Sequence, residues 1–380
     1  MSLRNPRDDI TPAATDQGSP FRIVQCWSLA FVLFLGLDKA SRHFLTLPTL
    51  RYVRPTAGIM MRVMRRLYEG RRAVSIENDR IRVTVLEGGG HIAEILDKAT
   101  GVNPLWTPPW PSIEPGDFDP THPGYGSGPA ESRLLSAIMG HNLCLDIFGG
   151  PSPEEEAAGL SAHGEGSTAV YQIADDRSSL VMHARLPIAQ LNVERRISLV
   201  GHAVRIRETV ENVAGIDRPT GWTQHVTMGP PFLERGVTEF RASVTRSKTF
   251  EGAFGSADYL RAGTEFDWPM APAVGGGVAD LRRASAAPTS SAYTAHMADP
   301  SLTHACFVAF SPTHQLAFGY IWNRLDFPWL GIWEENASRT DPPWNGLGLT
   351  RGMEFGVSPF PETRRQMVDR QRLFGVPTYR

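Results

Sequence analysis

Four short polar groups in the sequence have the side-chain types that proton transfer requires. These groups are His141 with Asn142, His163 with Glu165, Gln224 with His225, and Glu354 alone. Each lies at the edge of an apolar or strand-like segment, where a rigid scaffold can present reactive groups to solvent. The placement indicates candidate site residues without specifying a reaction.

His225 is the candidate general acid. Apolar residues surround it in the sequence, and Gln224 is its polar neighbour. An imidazole titrates at about 6.5, so small changes in its environment make it a proton donor or a proton acceptor at neutral pH. The alternative is a structural histidine that bonds a carbonyl group at the end of a strand.

Glu354 is the candidate general base. It lies between Met353 and Phe355, and Arg351 is the only other charged residue close by in the sequence. A carboxyl group on a partly desolvated wall has a raised pKa, which makes it a better base. The alternative is a glutamate on the solvent face of a terminal strand.

His163 begins a His-Gly pair, in which the glycine permits a sharp turn or the close approach of a ligand. A metal site could be assembled on paper from His141, His163, Glu165 and His225. No HxH or HExxH spacing supports such a site, and metal coordination needs three or four ligands with supporting groups. We therefore expect no metal.

Tryptophans fall mostly in or beside predicted loops, and Trp333 is one of them. A flat ring can pack against the apolar face of a pyranose while carboxylates and amides bind its hydroxyl groups. Several tryptophans are also expected in the core. A small-molecule carbohydrate is the ligand class that best uses this mixture of Trp, His, Glu, Asn and Gln.

The composition limits the other partners. The chain has 380 residues, of which 41% are hydrophobic and 21% charged, and its formal net charge is −2. This balance fits one large or two ordinary globular domains, and without a basic stripe we expect no nucleic acid. The cysteines Cys26, Cys144 and Cys306 are far apart and form no CxxC pattern, which favours a reducing compartment and a cytoplasmic location.

Residues 1–72 differ in composition from the rest and are predicted to form an N-terminal appendage, helical or disordered. The apolar run Ile23–Leu37 is shorter than the roughly 20 residues of a membrane-spanning helix. It can be an apolar helix, a degenerate targeting segment or an extension without a folded role. The basic stretch MRVMRRLYEGRR, residues 61–72, has helical character.

Residues 73–380 are predicted to form an all-β domain. Short segments of period two, such as AVSIEN and RIRVTVLE, follow one another with turn residues between them and without a βαβ rhythm. This pattern favours a large antiparallel β-sandwich. The Pro- and Gly-rich stretches 106–129 and 268–277 are predicted to be loops at its rim.

Residues 80–106, RIRVTVLEGGGHIAEILDKATGVNPLW, resemble the opening of galactose mutarotase-like proteins, the aldose 1-epimerase superfamily. A His-Gly pair at His163, a second histidine at His225 and a late glutamate at Glu354 follow in the same order. The resemblance covers roughly residues 73–375. Around the second histidine this chain reads TQHVTMGPPFL, which differs from the usual form and leaves the substrate open.

The resemblance implies a β-supersandwich that interconverts the anomers of a free sugar or sugar derivative without a cofactor. We expect the protein to be a monomer or weak dimer. The residue matching Glu354 takes the proton of the anomeric hydroxyl group, and the residue matching His225 protonates the ring oxygen. The residue matching His163 holds the substrate. We expect five further residues to bind the substrate together with His163: Glu165, His141, Asn142, Gln224 and Trp333.

Two other functions stay open. A carbohydrate-binding protein of the same fold would keep the cleft and lack turnover. A polysaccharide-processing enzyme would need a second carboxylate within about 5 to 10 Å of Glu354, for which Glu334 or Glu335 is the candidate.

Overall fold

The computed structural model describes residues 22–34, 61–121, 123–126, 128–176 and 178–380. Most regular structure in these ranges is β-strand. In chain order the strands are β1 Arg22–Phe34, β2 Arg62–Tyr68, β3 Arg71–Glu77, β4 Ile81–Leu86, β5 Ile92–Asp97, β6 His141–Asp146, β7 Gln172–Asp176, β8 Ser179–Leu186, β9 Leu191–Val200, β10 Ala203–Asn212, β11 Gly221–Met228, β12 Glu239–Ala242, β13 Val244–Thr249, β14 Glu265–Asp267, β15 Met270–Pro272, β16 Val278–Asp280, β17 Ser290–Ala298, β18 His304–Ser311, β19 Leu316–Asn323, β20 Trp329–Asn336, β21 Leu349–Gly356, β22 Arg372–Leu373 and β23 Val376–Pro377. The α-helices are α1 Pro129–Leu135, α2 Pro153–Ala157 and α3 Arg364–Arg370.

Two antiparallel sheets form the body. The small sheet has eight strands in the order β12-β18-β19-β1-β10-β9-β8-β7. The large sheet has eleven strands in the order β14-β13-β17-β20-β21-β11-β6-β5-β4-β3-β2. The prediction of an all-β antiparallel sandwich is therefore confirmed.

The two sheets pack face to face over one hydrophobic core. Strand β9 shows the expected period of two, with every second side chain buried. Aromatic contacts cross the space between the sheets, as where the rings of Trp322 and Phe355 stack with centroids 4.3 Å apart. We call the side of the large sheet that faces this core its core face, and the opposite side its outer face.

The outer face of the large sheet is also covered. A second cluster of buried residues lies there, and it includes Phe148, Tyr293, Trp333, Trp344 and Phe360. Because both faces are covered, β6, β11 and β20 are buried along their whole length. Helix α1 and the residues after it supply much of the aliphatic part of this cover, and Leu373 of β22 adds to it.

The helical predictions for the N-terminal segments are wrong. Residues 22–34, within the apolar run, form β1, which pairs with β10 and β19 inside the small sheet. Residues 62–68 form β2, an edge strand that pairs with β3. An uninterrupted apolar run fits either a helix or a strand, so periodicity could not decide for the first segment. In the second, arginines suit the exposed edge of a sheet.

This pairing joins β1 and β2 to the sheets formed by the rest of the chain. The division into an appendage of residues 1–72 and a domain of residues 73–380 stays a prediction. Residues 1–21 and 35–60 of the predicted appendage lie outside the described residues. No helix in the described ranges is long and apolar enough to cross a membrane.

The two predicted rim loops differ from each other. Residues 106–129 contain short 3-10 turns at Pro115–Asp117 and Pro123–Tyr125 and lead into α1. Residues 268–277 are not wholly a loop, because β15 lies in this stretch and pairs with β16 in a separate two-stranded ribbon. A proline is tolerated there because the ribbon has no central strand.

Candidate active site

His225 and Glu354 lie directly opposite each other on neighbouring strands at the middle of the large sheet. The register of β11 and β21 pairs their Cα positions. Their neighbours Val226 and Met353 belong to the core between the sheets, so the period of two turns both polar side chains to the outer face. Nε2 of His225 lies 3.0 Å from Oε1 of Glu354, and both side chains are buried.

Two glycines make room for this pair. Gly331 on β20 is the cross-strand partner of Glu354, and a Cβ atom there would overlap the hydroxyl group of Tyr293. A Cβ atom at Gly352 would overlap Oε1 of Glu354 itself. Glycine inside a strand often marks such a close approach. The carboxyl group therefore occupies a space that the sheet leaves open for it.

Burial shifts the protonation of both groups toward their uncharged forms. It raises the pKa of Glu354 well above 4.5, while a hydrogen bond from Tyr293 acts in the opposite sense. Burial lowers the pKa of His225 to about 4. Oε1 of Glu354 makes no hydrogen bond with any described residue. Its contact with Nε2 of His225 is therefore close but does not have the geometry of a hydrogen bond. Both groups therefore keep bonding capacity for a ligand.

Thr227 orients the imidazole of His225. Its Oγ1 lies 3.0 Å from Nδ1 of His225, two residues back on the same face of β11. One ring nitrogen is thereby engaged, and Nε2 is turned toward Glu354. A hydrogen bond at one nitrogen of a histidine commonly fixes which tautomer serves at the other.

His163 completes the polar end of the site. Its ring centroid lies 4.7 Å from that of His225, and its Nδ1 has no hydrogen-bond partner among the described residues. Burial and the proximity of His225 lower the pKa of His163 well below 6.5. Its backbone has a positive φ of 63°, and its N–H donates to the carbonyl group of Gly149 at 3.1 Å. The turn therefore presents a neutral imidazole beside the pair.

These groups line a pocket of about 300 Å³. Trp333 is part of its wall, with a ring centroid 5.8 Å from that of His225. Arg339 lies over the rings of Trp344 and Trp333, at 5.2 and 6.0 Å from their centroids. Its guanidinium group lies 3.5 Å from the carboxylate of Glu131. The pocket therefore brings together His225, Glu354, His163 and Trp333 from the sequence prediction.

His141 and Gln224 do not line this pocket, which corrects their predicted place in the site. They lie on the core face, where Nε2 of His141 bonds Oε1 of Gln224 at 2.8 Å and Nδ1 bonds the hydroxyl group of Tyr320 at 3.0 Å. Successive residues of a strand point to opposite faces, so Gln224 cannot share the face of His225. Their hydrogen bonds leave both side chains engaged inside the protein.

Asn142 and Glu165 also lie outside the pocket lining. Asn142 is the cross-strand neighbour of His225 on β6, is completely buried, and has an Nδ2 without a hydrogen-bond partner among the described residues. The carboxylate of Glu165 accepts a hydrogen bond from the backbone N–H of Ala189 at 2.6 Å. Asn142 thus lies beside His225 on the neighbouring strand without lining the pocket, whereas Glu165 binds the backbone at Ala189.

Sequence reasoning missed several residues of the pocket. Tyr293, Arg339, Trp344 and the aliphatic residues of α1 come from parts of the chain that no motif connects to His225. The available signal was the pair of glycines inside WLGIWEEN and LTRGMEFG, because glycine in a strand interior indicates a close approach of other groups.

Neither candidate for a second carboxylate lies beside Glu354. Glu334 faces the core and pairs with Arg351 at 3.2 Å. Glu335 shares the outer face, but the register places it four residues along β20 from Gly331, the partner of Glu354. At roughly 3.3 Å per residue this is about 13 Å, which exceeds the separation that glycoside hydrolysis needs. Among the described residues, no group of three or more His, Cys, Asp or Glu side chains is arranged to hold a metal ion.

Comparison with solved structures places this architecture in a known class of folds. A candidate aldose 1-epimerase from Klebsiella pneumoniae subsp. pneumoniae is similar to this chain with a TM-score of 0.53 and 15% identity, over 80% of this chain and 74% of the other. The chain therefore has the mutarotase-like β-sandwich fold, and the predicted resemblance is confirmed at the level of the fold.

A further similar structure is a galactose mutarotase-like protein from Lactobacillus casei ATCC 334. It has a TM-score of 0.43 and 13% identity, over 77% of this chain and 91% of the other. No protein-family model and no curated protein matches the chain. The likeness to the Klebsiella protein, at 15% identity, shows the fold alone, so the chemistry has to be argued from the site.

Proposed function

We propose that this protein is an aldose 1-epimerase-like isomerase that interconverts the anomers of a free sugar or sugar derivative. The observation that carries the proposal is the pair of His225 and Glu354. A proton donor and a proton acceptor, from positions 129 residues apart in the sequence, meet at 3.0 Å in one pocket. Their proximity suits the anomeric carbon of a sugar, which carries both the anomeric hydroxyl group and the ring oxygen.

The reaction needs one proton on each side of the anomeric carbon. Glu354 takes the proton of the anomeric hydroxyl group, and the electron pair of that O–H bond forms the C1–O1 double bond. The bond between C1 and the ring oxygen breaks, and His225 protonates the ring oxygen. Rotation of C1 and reversal of these steps on its other face give the other anomer. No redox change takes place, and the protons are returned.

The buried pair holds the single proton that this scheme requires. Burial favours an uncharged carboxyl group beside an uncharged imidazole. The reactive form has a carboxylate beside an imidazolium, with the same total number of protons. Transfer within the pair interconverts the two forms, and the protonation states of such a pair belong to both groups together. General acid and general base catalysis each contribute about 10²- to 10⁴-fold.

The test is anomer interconversion followed by NMR exchange or polarimetry. We expect Glu354→Gln and His225→Ala each to lower the catalysed rate at least a hundredfold while sugar binding persists. Glu265→Gln and His304→Ala are the matched controls, since both residues are exposed and lie outside the pocket. Unchanged rates in both site variants would contradict the proposal.

Carbohydrate binding without turnover is the second candidate. The observation that favours it is the enclosure of the two groups among apolar side chains, which lowers the availability of the charged forms that transfer protons. It predicts that the unmodified protein binds sugars and leaves their anomer exchange at the buffer rate. The same NMR measurement therefore separates the two functions.

We also propose that the protein acts without a cofactor, in the cytoplasm, as a monomer or weak dimer. The support for the location is the cysteine pattern, together with Cys144 and Cys306, which are buried and free. Sedimentation of the purified protein tests the oligomeric state, and fractionation of the source cells tests the location.

A further inference from the structure

The pocket around His225 and Glu354 has little that could bind sugar hydroxyl groups. Ten of the seventeen described residues that line it have apolar or aromatic side chains, and two are glycines. The other five are Glu131, His163, His225, Arg339 and Glu354. None of the lining residues is Asn, Gln, Asp, Ser, Thr or Lys. These six types supply most neutral or flexible partners for hydroxyl groups.

The charged groups at the pocket mouth already have partners. Arg339 lies 3.5 Å from Glu131 and 3.6 Å from Glu335. Its guanidinium group also covers the faces of Trp344 and Trp333. These indole faces are therefore partly occupied by a side chain of the protein. Free bonding capacity is left at His163, His225 and Glu354, and at the indole N–H groups of Trp333 and Trp344, which have no hydrogen-bond partner among the described residues.

Another part of the pocket wall is aliphatic. Leu134 and Leu135 from α1, with Ile138 just after it, belong to the buried cluster on the outer face and line the pocket. Phe148 and Phe254 extend the same apolar surface. A ligand with its anomeric centre at His225 and Glu354 therefore shares the pocket with a lining that is mostly apolar.

We propose that the substrate is a hydroxyl-poor sugar, such as a deoxy or O-alkyl sugar with a free anomeric hydroxyl group. The proposal rests on the function proposed above and narrows its substrate class. A hydroxyl group buried without a hydrogen-bond partner loses its bonds to water and gains nothing in return. Replacing it by hydrogen or a methyl group removes that penalty and adds apolar contact with the wall.

The experiment compares D-galactose, D-fucose, which lacks the terminal hydroxyl group, and D-oliose, which lacks a second one. For each sugar, kcat/KM for anomer exchange is measured by NMR above the rate in buffer, and the dissociation constant is measured by calorimetry. We expect kcat/KM to rise about tenfold for each hydroxyl group removed. Equal values, or a preference for galactose, would overturn the proposal.

One conservative variant sharpens the comparison. Ala162 lines the pocket beside His163, and Ala162→Ser adds a hydroxyl group to the apolar wall with little change of volume. We expect it to reduce the preference for fucose over galactose several-fold, whereas Ala287→Ser at an exposed position outside the pocket leaves the preference unchanged. An unchanged preference in Ala162→Ser would count against the proposal.

The outcomes separate this proposal from the proposed isomerase activity. Turnover of galactose in preference to the deoxy sugars overturns the hydroxyl-poor substrate and supports the isomerase. Dissociation constants that fall from galactose to oliose, without turnover of any sugar, support the substrate class and contradict the isomerase. Neither binding nor turnover of the three sugars contradicts both.

Discussion

The two faces of the large sheet use buried polar residues in different ways. Strand β11 contributes to both, with Gln224 on the core face and His225 on the outer face. On the core face, Gln224 bonds His141 and Glu208, and Glu208 also pairs with Arg195 at 2.6 Å. Each polar side-chain atom of Gln224, His141 and Glu208 has a partner within the protein.

On the outer face, several buried polar atoms lack partners among the described residues. They are Oε1 of Glu354, Nδ1 of His163, Nε1 of Trp333 and Nδ2 of Asn142. Leaving a buried donor or acceptor unpaired costs about 1 to 3 kcal/mol. Native structures satisfy most such groups, and the exceptions require a reason. The core face also has unpaired buried atoms, Nη2 of Arg195 and Nε of Arg351. Three of the four atoms named on the outer face belong to residues that line the pocket. The comparison teaches that Gln224, His141 and Glu208 are fully bonded within the protein, whereas the unpaired atoms of the outer face gather at one pocket and are arranged for a ligand.

The largest expected effect comes from changing one glutamate on each face. Glu354→Gln on the outer face should lower the rate of anomer exchange at least a hundredfold. At pH 7 this substitution should leave the free energy of unfolding equal or higher. The pKa of Glu354 is raised in the folded protein, so the stability that its protonated carboxyl group provides at low pH is lost as the pH rises above 4.5. Glutamine does not titrate and has no such loss. Measurements are the exchange rate by NMR and urea unfolding.

Glu208→Gln on the core face should do the reverse. It leaves Arg195, which is completely buried, without its charged partner, and breaking a buried pair costs about 3 to 5 kcal/mol of unfolding free energy. The rate per folded molecule should stay within about threefold of the unmodified protein. If both variants lose activity equally at full stability, the division between the two faces is wrong.

Much of the fold could be predicted from the sequence, and the failures have physical causes. The alternation in LNVERRISLV marks β9, because one face of that strand is buried and the other is partly exposed. The apolar run beginning at Ile23 has no alternation to read, so the sequence leaves a helix open as one of three interpretations where the structure has the strand β1.

The site could be predicted only in part. The pocket brings together four of the predicted residues, His225, Glu354, His163 and Trp333. Because successive side chains of a strand point to opposite faces, the sequence alone could have excluded Gln224 from the face of His225. The same alternation places the side chains of His141 and Asn142 on opposite faces of β6. Arg339 and the aliphatic residues of α1 reach the pocket through tertiary packing alone. No local pattern connects them to the two reactive groups.

The second prediction concerns the stability of the core face at low pH. His296 bonds Thr294 and Ser247, and burial together with the charge of Arg351 lowers its pKa to about 3. Between about pH 6.5 and pH 3 the unfolded chain binds a proton at His296, whereas the folded protein does not. The stability that the neutral His296 provides is therefore full above about pH 6.5 and is lost as the pH falls toward 3. Between pH 7 and 4 the unmodified protein should lose about 3 kcal/mol more than His296→Gln.

Urea unfolding at the two pH values checks this expectation. His304→Gln is the matched control, since His304 is exposed, and its loss of stability should follow that of the unmodified protein. Equal losses in His296→Gln and the unmodified protein would show that this buried histidine does not make the core face sensitive to acid.

The third prediction tests the space that glycine leaves on the outer face. In Gly352→Ala, the new methyl group displaces the Glu354 carboxyl group, because this flexible side chain yields more readily than the backbone. We expect a loss of activity of about 30-fold with little change in stability, since small misplacements of reactive groups are costly. Gly116→Ala is the control, because its Cβ would meet nothing within 4 Å. Full activity in Gly352→Ala would show that this glycine does not set the position of the carboxyl group.

The smallest effect separates two threonines on the same face of β11. Thr227 bonds Nδ1 of His225 at 3.0 Å, whereas Oγ1 of Thr223 has no hydrogen-bond partner among the described residues. Removing one hydrogen bond changes a free energy by about 1 kcal/mol, so Thr227→Val should lower kcat about fivefold and shift the pH profile of kcat. Thr223→Val removes an unpaired hydroxyl group and should leave kcat unchanged with equal or greater stability. Equal kcat values in the two variants would mean that the imidazole is held by packing and that Thr227 has no part in orienting it.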